Sequence, residues 1–133
     1  MVHEFQTKYG CELGLDMDDK MLCRALAQSL RTTLLWYSRN ERLKSHFGVI
    51  LEELAETFDA IAEGKGFLKE SSDLLYTVYG LQHALGYCEV SEEAFRRVHE
   101  SNMTKTPGNK SPTGKILKGP DYVAPDLEDL ENE

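Results

Sequence analysis

Apolar residues recur at helical steps through most of this chain. Leu22, Leu26, Leu30, Leu34 and Tyr37 follow one another at intervals of four or three, which predicts an amphipathic helix from near Lys20. Asp18 or Asp19 is placed to cap its start. The polar run "SRNER" at 38–42, with Asn40 inside it, predicts a break. A second helix is expected from about Leu43 to Glu63, with Phe47, Ile50, Leu51, Leu54, Phe58 and Ile61 inward. Gly48 weakens its first turns by roughly 1 kcal/mol relative to alanine. The "GKG" at 64–66 ends it, since glycine readily takes the left-handed conformation past a helix end. A third helix fits Phe67 to Leu85, carrying Leu68, Leu74, Leu75, Val78, Leu81 and Leu85, with Gly86 as its stop. Ser91 is placed to cap a fourth that persists to about Thr104. Glu92 and Glu93 suit the dipole of its first turn, and Val90 and Phe95 occupy staple positions. Residues before Lys20, punctuated by Gly10 and Gly14, read as an irregular or short helical lead-in. Beyond Thr104, Pro107, Gly108, Pro112, Gly114, Gly119, Pro120 and Pro125 exclude long regular elements. The class is all-α: a four-helix bundle-like protomer in one domain spanning 1–133. Its helical core covers about 18–105, followed by a basic loop (106–120) and an acidic tail (121–133).

Composition changes this picture little. No run of 18 apolar residues occurs, so no membrane partner is expected. The N-terminus "MVHEFQTKYG" has no basic-then-apolar layout, which points to the cytoplasm. Cys11, Cys23 and Cys88 are far apart and form no C-x-x-C, so reduced, unpaired thiols are expected rather than a disulfide framework or zinc site. The net charge of −8 makes the chain a poor non-specific binder of nucleic acid, and no nucleic-acid partner is expected. Six acids and no base lie from Asp121 to Glu133, and the acid run favours disorder from about Glu128. By contrast, Ser101–Gly119 carries Lys105, Lys110, Lys115 and Lys118 and no acid, a local charge suited to a small anion. Trp36, Phe5, Tyr76 and Tyr79 are read first as core aromatics. His83 and His99 are read as packed or hydrogen-bonded, and Arg96 and Arg97 as surface residues.

The second helix holds the candidate chemistry. Glu52, Glu53, Glu56, Asp59 and Glu63 fall within twelve residues, with no Lys or Arg between Lys44 and Lys65. Across the "GKG" turn, Glu70 and Asp73 are three apart on the next helix. So short a connection makes the two helices antiparallel, bringing the acid sets across one groove. At about 4 Å and an effective dielectric near 20, each like-charged pair repels by about 4 kcal/mol. Either some carboxylates stay protonated or cations bind. All-oxygen ligation without a nearby histidine suits Mg²⁺ or Mn²⁺ rather than Zn²⁺. The competing reading is a solvated helix face, and on the residues alone the two stand near even. Asp59 and Glu63 fall outside the paired pattern and are read as solvated.

The pattern Glu52-Glu53-x-x-Glu56, thirteen residues, then Glu70-x-x-Asp73 resembles the signature of the MazG-like all-α nucleoside triphosphate pyrophosphatases. "DLLYTVYGLQHALGY" (73–87) and "EAFRRVHESNMTK" (93–105) are similar to the same family. "GKILKGPDYVAPDL" (114–127) resembles its short, single-domain, phage-type members, which include the MazZ-like branch. The resemblance implies hydrolysis of a (d)NTP, for the MazZ-like branch (d)GTP, to the monophosphate and pyrophosphate, in nucleotide-pool control or phage DNA metabolism. A phage origin would place the protein in the host cytoplasm. Carried over by position, Glu53, Glu56, Glu70 and Asp73 are the implied metal ligands for two or more Mg²⁺ or Mn²⁺ ions. Glu52 and Glu53 are the implied catalytic pair, Glu52 orienting or deprotonating the attacking water. Asn102, Lys105 and Lys118 are the implied substrate contacts. Self-association as a homodimer or homotetramer is implied as well. The alternative is a non-catalytic helical module that binds a nucleotide or partner and holds a structural metal.

Overall fold

The computed structural model describes residues 1–10, 15–37, 39, 41 and 44–131. Its regular elements are α1 (Val2–Tyr9), α2 (Met17–Tyr37), a π-helical turn (Lys44–Gly48), α3 (Val49–Glu63), α4 (Phe67–Ala84), α5 (Ser91–Asn102) and α6 (Glu128–Glu131). The all-α expectation holds. The Tyr37 side chain, Asn40, Leu43, Cys11 and Gly14 lie outside the described residues. The chain divides into two compact units, Gly14–Gly86 and Met1–Leu13 with Tyr87–Glu133.

In the Gly14–Gly86 unit, α3 packs on α2 along one side and on α4 along another. The start of α2 is a reciprocal cap. The Asp19 amide donates to Asp16 Oδ1 at 2.9 Å, and the Asp16 amide donates to Asp19 Oδ2 at 3.0 Å. The helix therefore begins at Met17, and the cap is Asp16 rather than Asp18 or Asp19. Its packed stripe is Cys23 and Ala27, both buried, with Leu30 and Leu34 half-buried. Leu22 and Leu26, expected inward, are exposed. Small side chains win this competition because they let two helix backbones approach closely. The same logic holds on α3, whose buried residues are Ala55, Thr57, Ala60 and Ala62, while Ile50, Leu51, Leu54, Phe58 and Ile61 are half-buried and Phe47 is exposed. A β-carbon at Gly48 would lie 3.2 Å from Leu34 Cδ1, so the glycine keeps room for α2.

The α3–α4 turn forms as its glycines require. Gly64 has φ 73° and Gly66 φ 78°. The amides of Gly64 and Lys65 both donate to the Ala60 carbonyl, at 3.0 and 3.2 Å, closing the end of α3. On α4, Leu74 and Leu81 are half-buried, whereas Leu68, Leu75, Val78 and Leu85 are exposed. Tyr76 and Tyr79 on α4 and Trp36 on α2 are exposed too, so core packing does not account for these three aromatics. The physical reason is the order of packing. With α3 covering one flank of each neighbour, the other apolar flank of α2 and of α4 stays open.

The other unit joins the N-terminal helix to the C-terminal segment, with α1 against α5. Tyr9 is buried, 4.5 Å from Phe5 between ring centroids. Its hydroxyl lies 3.0 Å from the Asn102 carbonyl oxygen and 2.6 Å from that of Lys105. His99 Nε2 meets Glu4 Oε2 at 3.0 Å, in keeping with a hydrogen-bonded role. Ser91 does not cap α5; its hydroxyl donates back to the Tyr87 carbonyl at 2.7 Å, and Val90 occupies the cap position. Disorder was expected from about Glu128, but Glu128–Glu131 forms α6. Arg97 donates to Asp129 Oδ1 at 2.5 Å, to Asp129 Oδ2 at 3.0 Å and to the Asp126 carbonyl at 3.0 Å. That bidentate clamp holds α6 and makes Arg97 more than a surface residue. Among the described residues Cys23 is buried and Cys88 exposed, and neither forms a disulfide. No described helix is long and apolar enough to cross a membrane.

Candidate metal centre

The antiparallel hairpin brings the two acid sets together. α3 supplies Glu53 and α4 supplies Glu70 and Asp73, and one carboxylate oxygen from each lies within 4.8 Å of the others. Glu56, half-buried on α3, lines with Glu70 the cleft beside them. Glu52 is exposed beside Glu53. The levels of the two helices, offset in sequence, are thus bridged by the length of the glutamate side chains.

The electrostatics follow from this crowding. Burial holds the Glu53 carboxyl above its ordinary pKa, and the charges of Asp73, Glu70 and Glu52 push in the same direction against Lys69. Glu56 is raised by burial first, then by Glu53 and by Glu70. One oxygen of Glu53, Oε2, is closed off from solvent and has no hydrogen-bond partner among the described residues. A buried lone pair without a donor is costly unless a cation faces it.

The acids are not wholly without counter-charge, as the local sequence suggested. Lys69 Nζ reaches Glu70 Oε2 at 3.0 Å and Asp73 Oδ2 at 2.8 Å. Arg31 on α2 pairs with Asp59, which is half-buried rather than solvated. Beside the carboxylates opens a cleft of about 440 Å³ lined by Glu56, Asp59, Ala60, Glu63, Lys65, Gly66 and Glu70. Lys69 and Arg31 lie on α4 and α2, outside the cation-free window between Lys44 and Lys65, and so do not show in the local charge pattern of α3. The Lys69-x-x-x-Asp73 spacing was the signal available for one of them.

The donor set fits a hard divalent cation. It is all carboxylate, and it holds an orphaned buried oxygen. Glu53, Glu70 and Asp73 would hold Mg²⁺ or Mn²⁺.

Asn102, Lys105 and Lys118 belong to the second unit. Asn102 and Lys105 close the end of α5, their carbonyls at the Tyr9 hydroxyl. Lys118 Nζ stands 4.6 Å from the centre of the Tyr122 ring. The Tyr122 phenol is held below its ordinary pKa by its hydrogen bond with Ser101 and then by the charges of Lys118 and Lys105. One of the three expected substrate contacts, Lys118, thus lies against Tyr122, a residue with no mark in its local sequence pattern.

No curated protein and no solved structure matches the chain. The sequence model of the family described as Phosphoribosyl-ATP pyrophosphohydrolase matches residues 22–102, more than half of the chain.

Proposed function

The chain belongs to the phosphoribosyl-ATP pyrophosphohydrolase family, within the MazG-like all-α nucleoside triphosphate pyrophosphatases, and from that premise we propose that it hydrolyses a (d)NTP to the monophosphate and pyrophosphate. The observation that carries this reading is the convergence of Glu53, Glu70 and Asp73 beside an acidic cleft of about 440 Å³, a volume suited to a small molecule. A triphosphate brings about four negative charges, and acids alone would repel it. Two or more Mg²⁺ or Mn²⁺ ions, when bound, neutralise that charge and polarise the α–β phosphoanhydride. Glu53, Glu56, Glu70 and Asp73 would hold the ions. Glu52, exposed next to Glu53, orients or deprotonates the attacking water. Asn102, Lys105 and Lys118 contact the nucleotide or its phosphates.

(d)GTP is the first substrate to test. Phosphoribosyl-ATP, which carries the same triphosphate, is the second reading, favoured by the description of the matching family. The full chain is incubated with each NTP, each dNTP and phosphoribosyl-ATP in Mg²⁺, and the products are separated. Pyrophosphate and a monophosphate from one of these supports the proposal. Orthophosphate release refutes it in favour of cleavage at a different phosphoanhydride, and no turnover of any refutes it in favour of a non-catalytic module with a structural metal. Asp73→Asn separates the two further, since an enzyme loses turnover while staying folded.

The same reading includes self-association as a homodimer or homotetramer. Among the described residues no large side chain is fully buried, while Met21, Leu22, Leu35 and Trp36 on α2 and Leu68, Leu75, Tyr76 and Tyr79 on α4 are exposed. Apolar area of that extent favours association. Light scattering coupled to size exclusion measures it directly, and a monomer at micromolar concentration refutes it.

A further inference from the structure

Lys69 makes an unusual pair of contacts. Its Nζ bonds Asp73 Oδ2 at 2.8 Å, a helical i,i+4 partner, and Glu70 Oε2 at 3.0 Å, an adjacent residue that a helix would normally point elsewhere. The side chain spans both because both carboxylates converge on the α3–α4 groove. Those two residues are also two of the three whose carboxylate oxygens gather within 4.8 Å. The third, Glu53, receives no hydrogen bond from Lys69, and its Oε2 stays enclosed and without a hydrogen-bond partner among the described residues. One ammonium thus satisfies two ligands and leaves one orphaned, with a single positive charge against three acids.

An ammonium and a divalent ion draw on the same carboxylates. Mg²⁺ demands oxygen ligands at about 2.1 Å in octahedral array, and a cation sitting 3 Å from two of them repels it. Lys69 is also free to leave. Its side chain is 69% exposed and long, so its head can swing into water while its stem stays on α4.

We propose that Lys69 is the resident counter-cation of the carboxylate cluster, exchanged for a divalent ion when metal loads. This inference rests on the metal-site reading of Proposed function. Lys69 keeps Glu70 and Asp73 partnered in the metal-free protein and thereby raises the metal concentration at which the site fills.

The test uses the nucleotide-free full chain and Mn²⁺ alone, with free Mn²⁺ followed by electron paramagnetic resonance and thermal stability followed with and without the ion. Lys69→Met removes the competitor, so Mn²⁺ should bind about threefold to tenfold tighter, the range set by two exposed ion pairs. Its melting temperature should fall below wild type without metal and recover with Mn²⁺. Lys69→Arg keeps the charge and should bind within about twofold of wild type, and Lys69→Gln repeats the test should the methionine variant fold poorly. Mn²⁺ binding by wild type that is unchanged or weakened in Lys69→Met and Lys69→Gln overturns the exchange, making Lys69 a bystander or a clamp that arranges the ligands. No Mn²⁺ binding by wild type overturns the metal-site reading, and this inference with it.

Discussion

Glu53→Gln should raise the stability of the metal-free protein while abolishing its response to metal. Glu53 faces Glu70 and Asp73 with oxygens no more than 4.8 Å apart. At that distance one like-charged pair repels by about 0.9 kcal/mol in a water-like dielectric and about 3.5 kcal/mol at an effective value near 20. The substitution removes two such repulsions and one attraction, to Lys69, for a net gain near one pair. Partial exposure places the result at the low end, about 1 kcal/mol. For a chain of this size that is a rise of about 3–4 °C in melting temperature. The new amide also brings donors to a region of acceptors. With Mn²⁺ present the sign reverses: wild type gains stability through its ligands, and the variant, short of one charged ligand, gains little. Differential scanning calorimetry at pH 8, with and without Mn²⁺, reads both effects. A metal-free variant less stable than wild type, or equal Mn²⁺ stabilisation of both, would refute the reasoning.

The raised Glu53 and Glu56 carboxyls predict a pH signature. A group whose folded pKa exceeds its unfolded value holds more protons folded, so stability falls as pH rises above the ordinary 4.5 and through the raised values. Melting scans from pH 4.5 to 8 without metal should show this decline, a Glu53→Gln/Glu56→Gln variant should flatten it, and an unchanged slope in that variant would contradict the assignment. Glu93 acts oppositely, its carboxyl held down to about 2 by hydrogen bonds from Arg96 and then Arg97, so its contribution is present above pH 4.5 and lost as pH falls toward 2. Arg97→Ala should release α6 from α5 without loss of α5 itself, seen as faster hydrogen exchange across 126–131 and earlier cleavage by a glutamate-specific protease; unchanged protection there would show that the Arg97 clamp does not hold the tail.

Much of this protein is written locally. Helix periods, the "GKG" stop, the Gly86 stop and the acid spacing are properties of short windows, because helix geometry and left-handed glycine depend on a few neighbours. The all-α class and the five carboxylates of the hairpin followed from these alone. Three errors have one cause, namely that partners distant in sequence compete with local rules. Asp16 outbid Asp18 and Asp19 for the cap because a reciprocal bond with Asp19 satisfies two amides at once. The tail ordered because Arg97, about thirty residues earlier, offers a bidentate partner to Asp129. The leucine stripe of α2 lost its place to Cys23 and Ala27 because close approach to α3 rewards small side chains over large ones.

The acid cluster shows the same division. The sequence alone placed Glu52, Glu53 and Glu56 on one helix face and Glu70 and Asp73 on the next, and left protonation, a bound cation or a solvated face as the alternatives. Only the tertiary structure decided which oxygens meet, that Glu53 Oε2 is left enclosed, and that Lys69 already lies across two of the ligands. Charge spacing is set by the helix period, whereas the distance between facing carboxylates is set by how closely two helices pack. On α3 that closeness is reached by burying Ala55, Ala60 and Ala62.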